Sequence, residues 1–473
     1  MQGYANSKTI YLTKFKFIMK RSFYRIIFCC LFIFGYLSFT FSQETFPVND
    51  VANPRQECYA FINAKIISDS KTTIDSATLV IRKGVITAMG KSATIPKDAV
   101  LVECKGKYLY PSFIDLYTDY GISTKSISNE NLGSFNRTAQ IESNIKGAYG
   151  WNEAIKSQQQ AHAMYSKNES KAKTLRSLGF GATLSHLKDG IARGSGVFVS
   201  LADNADNYSI LKDKASAHYS FSKGSSSQSY PSSIMGVISL LRQTYYDAKW
   251  YESQPKEEGI NLSLESWLAN QSLPQIFEAN DKWNVLRADR IGDEFGKQYI
   301  IKGSGNEYQR VKEIKATNAA LIIPLNYADA METDDVNDLR FVGLDDLKHW
   351  ELGPANPGIL EKEGIVFTLT TSDLKSESDF LANVKKAIEY GLSEAKALDA
   401  LTIVPATMIG MESKLGSLAT GKIANFLVTS GPIFAEKTVI HQNWVQGQMH
   451  EVKKDGWEDI KGNYSMVISN QGL

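Results

Sequence analysis

The stretch YLYPSFIDLYTDYG, residues 108–121, marks the point where the chain changes character. Phe113-Ile114-Asp115-Leu116 reads as the end of a buried strand that runs into a polar loop. Upstream, residues 59–110 are β-branched runs separated by turn signals: AFINAKII, ATLVIRKGVITAMG and AVLVECKGKYLY, with Lys83-Gly84 as a tight hairpin. Short strands of this kind suit a small β-sandwich. Downstream, charged helical segments alternate with short, continuously apolar strands. NESKAKTLRSLGF leads through Gly179 or Gly181 into GATLSHL, and WNVLRADRIGDEFGKQYIIKG, YQRVKEIKATNAALIIPL and ILEKEGIVFTLTTSD repeat the unit. Such alternation implies a parallel sheet with helices outside. About 300 residues of it favour a (β/α)₈ barrel over an open sheet.

Beyond the last of these strands, Phe380, Leu381, Val384, Ala387 and Ile388 form one apolar helix face, ending at Gly391. Ser393 caps a second helix, which Pro405 is expected to break. From residue 415 the chain returns to short strands. The expected architecture is therefore α/β: a distorted (β/α)₈ TIM barrel over 113–411, and a β-sandwich built from 57–112 and 412–455. Residues 456–473 read as a truncated tail. The Ser- and Gly-rich segment 215–235 reads as a long loop, either mobile or lying over the barrel mouth, and GIARGSG, 190–196, as a tight βα turn.

Residues 1–42 read as an N-terminal extension plus a signal peptide. Met19 is a candidate start, followed by Lys20, Arg21 and Arg25 and an apolar run, Ile26 to Phe41. Thr40 and Ser42 suit cleavage before Gln43. The run is short for a spanning helix of roughly 20 residues, so an exported, periplasmic or extracellular protein without a stable membrane anchor is expected. Lys+Arg number 52 and Asp+Glu 51, a balance that carries no electrostatic footprint for nucleic acid. Outside the signal the cysteines are Cys58 and Cys104; whether they pair is open at this level.

At three places the chain resembles the amidohydrolase superfamily: GKYLYPSFID, GLSEAKALDALTIVPATMIGM and KLGSLATGKIANFLVTSG. LRSLGFGATLSHLKDGIARGSGVFVSL and YPSSIMGVISLLRQTYYDAKWY are similar to an exported bacterial subgroup in which such a module often precedes a second hydrolase module. The resemblance implies hydrolysis of a non-peptide C–N bond, amide or cyclic amide, by water activated on one or two divalent metals. It also implies His-x-His on the first barrel strand, where period-two alternation aims both imidazoles inward.

This chain departs from that pattern. The first-strand positions read Tyr117-Thr118-Asp119; Glu278, in IFEAND, and Lys302, in YIIKGSG, stand where further histidines are expected. TLTTSD keeps its outline and places Asp373 at the catalytic acid/base position. No cofactor is expected; the alternative is a divalent Zn or Mn on oxygen ligands from Tyr117, Asp119 and Glu278 with Asp373. Lys302 is a candidate internal cation in the metal's place, paired with Asp373 or Asp119. His186, at a strand end, and Arg193 are candidate substrate-binding groups alongside Lys302. His218 falls in the loop, and His162, His349, His441 and His450 have no ligand spacing. Three readings follow: a protein with weak or lost activity that binds a small amide-like ligand; an active hydrolase using Asp373 with a rebuilt metal or Lys site; and a non-catalytic module partnering a second hydrolase.

Overall fold

The computed structural model of the chain describes residues 58–122, 143, 145–254, 259–331, 334–335 and 337–455. The segment read as a signal peptide and the tail 456–473 lie outside the described residues. The strands in chain order are β1 Cys58–Ile67, β2 Thr73–Arg82, β3 Val85–Gly90, β4 Val100–Glu103, β5 Tyr108–Pro111, β6 Phe113–Thr118, β7 Phe180–Ser185 and β8 Ala192–Ser200. They continue as β9 Ile210–Ser220, β10 Gln275–Glu278, β11 Ile300–Lys302, β12 Leu321–Pro324, β13 Phe367–Thr370, β14 Phe426–Thr429, β15 Ile440–Val445 and β16 Gln448–Glu451.

They form two sheets. The first has the order β16-β15-β14-β5-β1-β2-β3, with β4 added beside β1. Both chain ends therefore build one continuous sheet, joined where β14 pairs antiparallel with β5. Its core is aromatic: the Phe61 ring lies 4.9 Å from both Phe426 and Trp444, in edge-to-face contacts. The β2–β3 hairpin turns through Lys83 and Gly84, both at positive φ, as a two-residue hairpin of matching twist requires. Cys58 and Cys104 are buried and free. Tyr59 pairs with Val100 and Ile62 with Glu103, so the cysteines sit at opposite ends of the β1–β4 ladder. At about 3.3 Å per residue their separation far exceeds the roughly 7 Å Cα limit for a disulfide.

The second sheet runs β13-β12-β11-β10-β9-β8-β7-β6 and is nearly closed. Closure between first and last strands rests on Asp115. Its Oδ1 accepts from the Tyr117 amide at 3.0 Å and Thr370 Oγ1 at 2.6 Å; its Oδ2 accepts from the Thr371 amide at 2.8 Å and Thr371 Oγ1 at 2.7 Å. Asp115 is fully buried, and these four bonds satisfy a carboxylate that the interior would otherwise penalise heavily. The barrel is not all parallel, contrary to the sequence expectation. β8 runs antiparallel to both β7 and β9. The segment 190–196, expected as a tight turn, instead enters β8, and 210–220, half expected as loop, is the long strand β9.

Helices cover the barrel as expected. In helix Phe380–Glu389 the buried residues are Phe380, Val384 and Ala387, one stripe at helical spacing. Ser393 caps helix Glu394–Leu401 by accepting from the Lys396 amide. The break falls at Thr402 and not at Pro405, which sits in the first turn of helix Ile403–Met408, where its missing N–H costs nothing. Among the described residues no helix is long and apolar enough to cross a membrane.

Candidate functional site

The ends of β6, β7, β9, β10 and β11 and the loop after β13 converge on one mouth. Tyr117 lies at its centre, with its ring almost wholly buried. Arg193, on β8 and also buried, donates from Nη1 to the Tyr117 hydroxyl at 2.8 Å and from Nε to the Gly190 carbonyl at 3.1 Å. Its Nη2 is 2.6 Å from Glu278 Oε2 at the end of β10. Burial opposes the Arg193 charge, but Tyr117 and Glu278 together outweigh it and hold the guanidinium above its ordinary pKa. Burial likewise pushes the Tyr117 phenol well above its usual range, so it stays neutral.

A second pair stands beside this one. Lys302 ends β11 at 1% exposure and forms an ion pair with Asp373. Asp373 Oδ1 also accepts from Ser372 Oγ at 3.1 Å. Asp373 itself has φ of 65°, a left-handed conformation that a non-glycine residue adopts only at a cost. Lys302 and Lys188 place their ammonium groups 5.6 and 5.2 Å from the Tyr117 ring centroid.

His186 and His218 form the third element. Their rings are stacked at 3.7 Å and 4°, with Tyr117 4.5 Å from His186. Both are fully buried, and His218 Nε2 shares a 2.7 Å hydrogen bond with Ser216 Oγ. Neither nitrogen of His186, nor Nδ1 of His218, has a hydrogen-bond partner among the described residues. Gly196 makes room for this stack, because a Cβ there would stand 2.7 Å from His218 Nε2. Burial pulls both pKa values well below 6.5; the other histidine, Arg193 and Lys188 add to the effect on His186, and Arg193 and Lys188 to that on His218. The stack is therefore a neutral one.

A cavity of about 120 Å³ opens at the mouth, walled by Tyr117, Asp119, Lys171, Lys188, Asp373 and Glu377 among others. Lys171 is paired with Glu377. Lys188 bonds Ser372 Oγ at 3.3 Å and has no carboxylate partner among the described residues. Asp119 is exposed.

The structure thus brings together Tyr117, Arg193, Glu278, Lys302, Asp373 and His186 from the sequence reading. It corrects three details. His218 is a buried strand residue against His186, not part of a loop. Arg193, read as a candidate substrate-binding group, is committed to Glu278 and the Tyr117 hydroxyl. The oxygen set Tyr117, Asp119, Glu278 and Asp373 is not assembled as a ligand shell: two members hold Arg193, one holds Lys302, and one faces solvent. Among the described residues no three His, Cys, Asp or Glu side chains are grouped to hold a metal ion. The donors present do not fit the metal centre that the resemblance implies. Asp115, Lys188 and Ser216 were not singled out from the sequence. A carboxylate inside the apolar run FIDL and the alternation Ser216-His218-Ser220 are the signals that mark two of them.

Comparison with known proteins bears on the fold. Residues 354–459 match the Amidohydrolase family model. The fold matches an amidohydrolase from Thermotoga maritima MSB8 with a TM-score of 0.61, at 20% identity, over 83% of this chain and 99% of that one. A prolidase complexed with N-methylphosphonate-L-proline matches with a TM-score of 0.49, at 14% identity, over 83% and 99%. The fold is that of the Thermotoga amidohydrolase, and the stretch 354–459 is similar to the Amidohydrolase family. By sequence, adenine deaminase 2 of Jannaschia sp. (strain CCS1) is 30% identical over 184 residues, 37% of this chain. The chain spans about a quarter of the length of that relative, 27%.

Proposed function

We propose that this chain is an exported amidohydrolase-superfamily protein that binds a small amide-like molecule at its barrel mouth and has weak or no residual power to hydrolyse C–N bonds. One observation supports the reading: of the residues that the resemblance aligns with metal-ligand and acid/base positions, Tyr117 and Glu278 are engaged by the buried Arg193, and Lys302 pairs with Asp373. A carboxylate already spent on a buried guanidinium or ammonium is a poor donor to a metal, since removing its partner would strand a buried charge. The cavity still offers Lys188 and Asp119 to a ligand's polar atoms. Service as a partner of a separate, metal-bearing hydrolase module is compatible with the same chemistry.

The second reading is a hydrolase that uses Asp373 with Lys302. It is favoured by the left-handed backbone at Asp373, since strained residues concentrate where geometry serves function. Assays of a panel of linear and cyclic amides separate the two. Turnover is expected to stay near background, unaltered by chelator and identical in Asp373→Asn. An activity that Asp373→Asn abolishes, and that chelator or added metal modulates, would establish the second reading in its place.

A further inference from the structure

The connection from β12 to β13 leaves the barrel at the strand ends that also carry Lys302 and Asp373, because β11, β12 and β13 run parallel. Lys375, two residues beyond Asp373, is ion-paired with Asp329 near the start of this connection, which therefore forms part of the rim. The connection contains helix Leu344–Leu352, in which no residue is buried. A surface helix ordinarily turns its apolar stripe toward the core. This one touches the body through His349, whose Nδ1 lies 3.1 Å from the Tyr308 hydroxyl with the two rings 8° from parallel. At about 100° per residue, Leu344 stands roughly 140° and Leu347 roughly 160° around the helix from His349. Both leucines are therefore turned away from that contact. They are 67% and 39% exposed, Trp350 beside them is 41% exposed, and Phe341, just before the helix, is 87% exposed.

The charges on the same segment are unbalanced. Asp345, Asp346 and Glu351 on the helix, and Asp334 and Asp335 ahead of it, are exposed, and none has an ion-pair partner among the described residues. Against them stand Arg340 and Lys348, exposed and likewise unpaired. Cations on the neighbouring segments are engaged elsewhere: Lys375 by Asp329, and Arg310 by Glu313 at 3.0 Å. The segment is thus acidic in a chain whose overall charge is +1. Grouped apolar side chains left in water with a polar rim mark interaction surfaces. An acidic rim attracts a cationic partner and repels a second copy of this chain, which would bring the same carboxylates to the contact.

We propose that the outward face of helix Leu344–Leu352 docks a cationic amphipathic helix of a partner protein. The apolar side of that helix covers Phe341, Leu344 and Leu347, with its side-chain ridges set against theirs. Its flanking lysines or arginines meet Asp345, Asp346 and Glu351. The surface is independent of what the barrel mouth binds.

The test titrates the full chain into three fluorescently labelled peptides at physiological salt and follows anisotropy. One is a leucine–lysine peptide with leucines at heptad positions a and d; the second has the same residues in a non-amphipathic order; the third replaces lysine by glutamate. The first is expected to bind saturably, the second about tenfold more weakly or worse, and the third not at all. The variants Leu344→Ser/Leu347→Ser and Asp345→Lys/Asp346→Lys should each weaken the first peptide by about tenfold. All four positions are exposed, so both variants are expected to fold, and the peptide comparison on the native chain does not depend on them. No saturable binding, equal binding of the first two peptides, or undiminished binding by either variant would overturn the proposal. Sedimentation and vesicle flotation cover the other occupants: self-association, or binding to phosphatidylglycerol vesicles, that Leu344→Ser/Leu347→Ser abolishes would give the face to a second copy or a lipid surface instead.

Discussion

Replacing Arg193 by methionine is expected to destabilise the chain by about 3 kcal/mol, the lower end of what breaking a buried ion pair costs. The lower end applies because Glu278 keeps 19% of its side chain exposed, whereas Arg193 keeps 4%. The loss has two sources. Glu278 is left as an uncompensated carboxylate at the barrel mouth, and the Tyr117 hydroxyl loses its donor. Glu278→Met alone should cost a comparable amount by stranding the guanidinium. The double variant should be markedly more stable than the sum of the two single losses predicts, because a hydrophobic pair of similar volume replaces a satisfied ionic one at little cost. Urea unfolding of the four proteins at pH 7 measures this. Additive losses would mean that the two side chains do not neutralise each other, and the account of the mouth would lose its first support.

Acid should destabilise the chain earlier than carboxylate protonation alone would. His186 and His218 are held neutral, with pKa values well below 6.5, by burial first and then by nearby positive charge. The unfolded chain protonates both near pH 6.5. Below that pH the unfolded state binds protons that the folded state refuses, so stability falls as pH drops from about 6.5 toward the folded-state values. Above pH 6.5 the pair contributes no pH dependence. At full slope two such groups remove about 2.7 kcal/mol per pH unit. His450, lowered to about 4 mainly by burial, adds to the same trend. Comparing the native chain with His186→Phe/His218→Phe cancels the His450 part. The native chain should lose stability more steeply between pH 6.5 and 5, and the difference in slope should vanish above pH 7. Parallel curves would show that the rings already carry a proton in the folded state or are open to water.

Much of the fold is legible in the sequence because it rests on local patterns. β-Branched runs announce β1 and β2, and the apolar stripe Phe380-Val384-Ala387 announces its helix. The composite sheet is legible because both chain ends carry short strands with turn signals. β8 was hidden by its glycines, which look like a turn. Gly194 is needed because the Gln159 carbonyl would stand 2.0 Å from a Cβ, and Gly196 because the His218 ring lies against it. Both serve close packing within a strand. His218 was hidden for a related reason: Ser216 and Ser220 make its neighbourhood look polar and mobile, yet all three are buried within β9. The sequence offers Asp373 or Asp119 as the partner of Lys302, and the structure pairs it with Asp373. The pairing of Arg193 with Glu278 is not legible there, since 85 positions of chain separate them and only the register of the barrel brings them together.

The most direct test of the central claim is the elemental content of the full chain, purified without chelator and again after incubation with Zn²⁺ or Mn²⁺ and desalting. With Arg193 and Lys302 in place, well under one equivalent of either metal is expected to be retained. A full equivalent retained by the native chain, and lost on replacing Glu278 or Asp373, would contradict the account: those carboxylates would then be metal ligands and not partners of the internal cations.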